Sequence, residues 1–310
     1  MLARIKRSSL ACEIAVLLLA LLTAALATLP ALAQDAPPQP PAGSVSGMGD
    51  INLYPKRVVL DRRERTASVG LYNRALDPGE YEISIIDMVM TPEGNVYRLD
   101  NLPPGVSTDR VKVASDFLRW SPRRVRLLGS EAQTVRIMAR PSADLPEGEY
   151  RSHFLVVSVP EDVDQGFSIG DAVNAEGDDG TDIGVVIRPR FGISIPVIVR
   201  VGETTLDVTL SDLALVATPQ GPALSLTINR SGTRSAFGDI VVTAPGIAEP
   251  VAIARGIGVY PEIDARSFVL ALNGDFDPAQ LRSGMTLTVT YTDDDYEPGA
   301  TLASSSLRVP

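Results

Sequence analysis

The pattern that most restricts this chain is the near absence of helical spacing. No long segment carries apolar residues at i, i+3, i+4 and i+7, the stripe that an amphipathic helix needs. Short runs alternate instead: TASVGLYN, YEISIIDMVM, NVYRLD, RRVRLL, QTVRIMAR, RSHFLVVSV and GVVIRPRFGISIPVIVR, separated by Gly, Pro, Asp and Asn. A period of two turns one side of each run toward a core and the other toward water. Many short strands broken by turn residues predict an all-β sandwich or barrel.

A second block starts near Gly202, with TTLDVTL, LALVAT, ALSLTINR, DIVVTA, SFVLAL, LTVTYT and SSSLRV. The length of 310 residues suits about two domains. The boundary is expected near 200–203, giving one domain over 48–201 and another over 202–310.

Ahead of them, Arg4, Lys6 and Arg7 precede an apolar run from Ile14 to Leu29, then Ala31-Leu32-Ala33. That is the pattern of a cleavable secretory signal peptide over 1–33. The alternative is an uncleaved anchor, since the apolar run approaches bilayer-spanning length. Cleavage removes Cys12, the single cysteine, and so excludes disulfides, thiolate chemistry and Cys-based metal sites. Residues 34–47, QDAPPQPPAGSVSG, have the composition of a disordered leader.

The net charge of −10 argues against nucleic acid as a partner. Catalytic signals are sparse. His153 is the one histidine, and its neighbour Ser152 points to the opposite face of a strand. A triad and a zinc site are both disfavoured. No phosphate loop, GxSxG elbow or HExxH occurs. The acidic stretch over 161–184 fails the EF-hand pattern and has the makeup of a mobile, solvated loop. TDDDYEPG, residues 292–299, is expected to be a hairpin turn. A binding protein fits better than an enzyme, with no cofactor and no metal expected.

Two features point to binding. From Ile187 to Val197 every second residue is Ile187, Pro189, Phe191, Ile193, Ile195 and Val197. Pro189 and Pro196 mark this run as an edge strand, because proline cannot donate to a ladder. The other feature is YPKRVVLDRRERTASVGLYN, residues 54–73, which gathers Lys56, Arg57, Arg62, Arg63 and Arg65 in an acidic chain.

PKRVVLDRRERTASVGLYN, SPRRVRLLGSEAQTVRIMARPSADLPEGEYRSHFLV and GISIPVIVR together resemble the PapD-like periplasmic chaperones of pilus assembly. The resemblance covers about residues 48–200. It implies two immunoglobulin-like β-sandwich domains set at an angle and a location in the Gram-negative periplasm. It also implies an edge strand lent to pilus (fimbrial) subunits that lack one, and delivery to an outer-membrane usher. Arg57 falls on the family's arginine for the C-terminal carboxylate of the bound subunit, and Ile187, Pro189 and Phe191 fall on its groove-filling positions. Two positions depart from the family. Pro196 stands where it has an anchoring lysine. Arg151 stands where it has an acidic partner for the last-strand arginine, a role Glu149 is expected to take. Lys56, Arg62, Arg63 and Arg65 are expected to be solvated. The alternative function is a secreted two-domain β-sandwich acting as a surface or pilus component.

Overall fold

The computed structural model describes residues 45–46, 49–160 and 190–310. The signal segment, most of the leader, the acidic stretch 161–184, Ile187 and Pro189 lie outside the described residues. Two short 3-10 turns, Ser115–Phe117 and Pro278–Gln280, are the helical elements among the described residues.

The first sandwich contains β1 (Val45–Ser46), β2 (Ile51–Tyr54), β3 (Val58–Leu60), β4 (Thr66–Asn73), β5 (Gly79–Ile86), β6 (Met88–Met90), β7 (Val96–Arg98), β8 (Leu118–Ser121), β9 (Arg124–Leu127), β10 (Ala132–Ala139), β11 (Gly148–Val159) and β12 (Gly192–Val201). One sheet has the order β1-β2-β4-β10-β8 and the other β3-β12-β11-β5-β9. β2 and β3 act as two halves of one opening strand. The first half pairs antiparallel with β4 and the second parallel with β12, so the chain changes sheets around Pro55. β1 lies inside the stretch expected as leader and pairs with β2.

The second sandwich contains β13 (Leu206–Thr218), β14 (Gly221–Gly232), β15 (Ala236–Thr243), β16 (Ala252–Val259), β17 (Ala265–Ala271), β18 (Thr286–Asp293) and β19 (Thr301–Arg308). Its sheets run β13-β14-β17 and β16-β15-β18-β19. This is an immunoglobulin-like order in which the fourth strand lies beside the third. The fold is therefore all-β with two immunoglobulin-like sandwiches.

The alternation in sequence becomes the two-faced burial of the strands. β4 turns Val69, Leu71 and Asn73 inward, and β10 turns in Val135, Ile137 and Ala139. β11 departs from that rule. Its first seven residues are buried on both faces. Tyr150, Phe154 and Val156 enter the first core, and Ser152 shares their face. Glu149, Arg151 and His153 point the other way and are also covered.

The cover is the second sandwich, together with the β6–β7 hairpin that leans onto it. Met90 belongs to the core of the second sandwich, as does Ile198 of β12, and Val59 of β3 packs against it. The hairpin tip also joins the second sandwich through its backbone, since Ser267 donates its N–H to the Pro92 carbonyl at 2.8 Å. Apolar side chains of the first sandwich thus complete the second core.

Candidate functional site

β12 pairs with β11 along its whole length, from Val157↔Gly192 to Gly148↔Val201. On its other side, among the described residues, only Val197–Val199 find a strand partner, in β3. Ser158 donates its N–H to the Phe191 carbonyl at 2.9 Å, which makes 158 and 191 a hydrogen-bonded pair. Such pairs alternate along an antiparallel ladder. The peptide groups of Ile193 and Ile195 therefore face β11, and those of Gly192, Ser194 and Pro196 face outward. The missing N–H of Pro196 falls on that outer side, where proline costs no ladder bond. From Gly192 to Pro196 the described residues offer the outer edge no strand partner.

The expected strand over 187–197 and the observed one, Gly192–Val201, are offset. Inside the strand the apolar row is core: Ile193, Ile195, Val197 and Val199 are buried. Phe191 has the same parity but is 40% exposed. It stands at the rim of a cavity of about 70 Å³ lined also by Gly49, Ile51, Tyr81 and Ile193.

Arg57, just before β3, lies beneath the contact between the sandwiches with its side chain 6% exposed. Its Nη2 donates to Asp295 Oδ2 and to Ser235 Oγ, each at 2.9 Å. Its guanidinium lies 4.4 Å from the centre of the Phe237 ring. Its Nε and Nη1 are buried and have no acceptor among the described residues. Arg200, at the end of β12, donates Nε to Glu149 Oε2 at 3.3 Å and Nη2 to the same Asp295 oxygen that Arg57 uses. Burial alone would lower the Arg200 pKa, but Asp295 and Glu149 outweigh it and hold the guanidinium above its usual value. Glu149 thus pairs with the last-strand arginine, while Arg151 pairs with Glu262 of the second sandwich.

Asp295 owes its position to the β18–β19 turn. The Asp293 carboxylate accepts from the backbone N–H groups of Asp295, Tyr296 and Glu297 at 2.8, 3.3 and 3.0 Å. The tract TDDDYEPG is indeed a hairpin turn. Its sequence contains no sign that the last of its three aspartates, Asp295, would meet Arg57.

Arg62 and Arg63 are exposed in a turn built on Asp61, whose Oδ1 accepts from the N–H groups of Arg63 and Glu64 at 2.7 Å. They are not remote from Arg200 and Asp295. With Arg200, Glu203, Asp295 and Tyr296 they line a cleft of about 700 Å³. Lys56 is half-exposed and pairs with Asp294 at 2.8 Å.

No protein-family model matches the sequence, and no curated protein matches it. Among solved structures the chain is similar to the YadV chaperone, at 15% identity and a TM-score of 0.43, over 84% of this chain and 100% of that one. It is similar to a chain of the CsuC–CsuE pre-assembly complex, a chaperone with a tip adhesion subunit, from Acinetobacter baumannii, at 11% identity and a TM-score of 0.41, over 84% and 97%. A chain of the Salmonella enterica SafA pilin–SafB chaperone complex gives 14% and 0.40, over 86% and 99%. Identities this low, with TM-scores below 0.5, leave the functional reading to the residues.

The side chains with catalytic chemistry do not converge. Ser152 Oγ is bonded to the Asp87 carboxylate on one face of β11, while His153 Nε2 lies 3.4 Å from Arg151 Nη1 on the other. Burial, with Arg151 adding to it, pushes the His153 pKa well below the usual value. Among the described residues no group of three or more His, Cys, Asp or Glu is placed to hold a metal. No helix among them is long and apolar enough to cross a membrane.

Proposed function

We propose that this chain is an exported periplasmic chaperone for pilus or pilus-like subunits. It lends a subunit the outer edge of β12 and passes it to an outer-membrane usher, with no cofactor or nucleotide. The observation that carries this reading is the outer edge from Gly192 to Pro196, which has no strand partner among the described residues. It offers outward peptide groups beside an apolar row that continues from the buried Ile193 to the exposed Phe191. Main-chain bonds to such an edge supply affinity, and alternate side chains supply selectivity. Ile187 and Pro189 share the parity of Phe191 and extend the proposed groove-filling row. Arg57 is the proposed anchor for the C-terminal carboxylate of the subunit, a group that an arginine fork can hold at two points.

The test is co-expression with an exported pilus subunit that lacks one strand of its sandwich. A one-to-one complex is expected. Ser194→Pro removes an outward N–H without touching the β11 ladder, and Phe191→Asp puts a charge on the apolar row. Both are expected to abolish the complex, while Ser194→Ala retains it. Folded S194P and F191D variants that still hold the subunit one-to-one would overturn the proposal.

A further inference from the structure

We infer that Asp295 is an internal carboxylate that fills the arginine anchor of the resting chain and yields it to the carboxylate of a bound chain terminus. The inference rests on the chaperone reading above and concerns how its anchor is regulated. Three observations carry it. Asp295 contributes a single oxygen, Oδ2, to two guanidiniums, those of Arg57 and Arg200. An arginine is best matched by a carboxylate that engages two of its N–H groups in parallel. Arg57 reaches Asp295 through Nη2 alone, and its buried Nε and Nη1 have no acceptor among the described residues. The guanidinium therefore has donors left for a second acceptor, and Ser235 and Phe237 already fix its plane.

The third observation is a cleft that Asp295 lines and Arg57 does not. Asp295 is in the β18–β19 turn and lines the cleft of about 700 Å³, together with Arg200 and Tyr296. It can swing into that cleft without unmaking the sheet, because neither the ladder pairs Thr292↔Thr301 and Gly238↔Asp293 nor the bond from the Asp294 N–H to the Phe237 carbonyl involves Asp295. Buried guanidinium donors left unsatisfied are costly and pull toward any acceptor that can reach them. An incoming chain terminus, carrying a free carboxylate, has the charge and shape to replace Asp295 on Arg57. The displaced Asp295 then turns to solvent beside Arg62 and Arg63.

The device also bears on how the two sandwiches are held. Among the described residues Asp295 is the one anion that bonds both Arg57 and Arg200, so its release unties two of the ion pairs between the sandwiches at once. The contacts made by Met90, by Pro92 with Ser267 and by Arg151 with Glu262 do not involve it. They keep the sandwiches together while the anchor changes partner.

The experiment uses the full chain and two synthetic hexapeptides, acetyl-TVTVTY with a free C-terminal carboxylate and its amidated twin. Asp295→Asn is expected to tighten the free-carboxylate peptide about tenfold, a difference of about 1.4 kcal/mol, and to leave the amidated peptide unchanged. Arg57→Ala should erase the difference between the two peptides. A second measurement covers a D295N variant that fails to fold. In the wild-type chain, the Arg57 Nε–H resonance should move on saturation with the free-carboxylate peptide and not with its twin. Equal responses to both peptides, a weaker free-carboxylate complex in the D295N variant, or a still Arg57 resonance would each overturn the inference. If Asp295 is only a strut, its replacement lowers the denaturation midpoint and changes neither affinity, which also overturns it. The chaperone reading fails separately, through one-to-one binding of a pilus subunit that survives Ser194→Pro and Phe191→Asp.

Discussion

Arg151 and Glu262 form an ion pair between the two sandwiches with side chains only 4% and 7% exposed. The pair is well furnished. Arg151 Nη2 also donates to the Met88 carbonyl at 3.1 Å, and its guanidinium lies 3.8 Å from the centre of the Tyr260 ring. Glu262 Oε1 also accepts from the Met90 N–H at 3.0 Å. The pair thus joins the start of β11, the β6–β7 hairpin and the second sandwich. Five described ion pairs cross between the sandwiches: Lys56–Asp294, Arg57–Asp295, Arg110–Asp264, Arg151–Glu262 and Arg200–Asp295. In every one the cation comes from the first sandwich and the anion from the second. The cations that look anomalous in an acidic chain are thus, in part, the matching face of a domain contact.

Removing one partner of the Arg151–Glu262 pair strands the other without water. Arg151→Ala is expected to lower stability by about 3–5 kcal/mol. Replacing both with apolar residues, Arg151→Met with Glu262→Leu, should cost much less, because no charge remains buried. Urea denaturation of the single and double variants checks the pair. Equal losses in all of them would show that charge is not what matters there.

Met90 should behave as a core residue of a sandwich to which it does not belong by sequence. It is 6% exposed and packs in the second core. Met90→Ala is expected to cost about 2–5 kcal/mol, the usual range for emptying such a site. Faster cleavage of the β6–β7 hairpin by added protease should accompany the loss.

Gly238 marks a place where strands β15 and β18 approach too closely for any side chain. A Cβ there would fall 1.7 Å from the Thr292 carbonyl oxygen. Gly238→Ala should sharply reduce the yield of folded protein and lower its melting temperature. Gly274→Ala, where a Cβ meets nothing within 4 Å, is the control and should change little.

His153 is expected to make the chain sensitive to acid. It is buried, and its folded pKa lies well below the usual value of 6.5. Below about pH 6.5 the unfolded chain binds a proton that the folded chain refuses, so stability is present above that pH and falls as pH drops through it. His153→Gln should flatten this part of the stability–pH curve, measured by urea midpoints between about pH 7 and pH 5. An unchanged slope would assign the acid sensitivity to other groups.

The fold class is legible in the sequence because strand alternation is local. Val69 and Leu71 alternate with polar or small neighbours in TASVGLYN, and burial follows that alternation. The Pro196 signal is legible for the same reason, since a missing N–H restricts a residue to an outer edge whatever the partners are. Glu149 as the partner of Arg200 followed from the family resemblance, and the β11–β12 register places the two residues directly opposite. Arg151 is harder. Its short-range context reads as an ordinary strand cation, and its partner Glu262 is far along the chain.

What the sequence determined by itself is therefore the set of features written in backbone periodicity: strands, turns, the proline-marked edge and the two-block organisation. What only the tertiary structure decided is the fate of the charges. Whether Arg57 meets water, a guest or Asp295 depends on how the two sandwiches meet, and no local pattern encodes that. The separation of 238 positions between Arg57 and Asp295 is closed by packing of Val59, Met90 and Ile198 on the second core. Hydrophobic burial, which has no direction, sets the contact. The directional guanidinium–carboxylate bonds then form between the groups that this contact brings within reach.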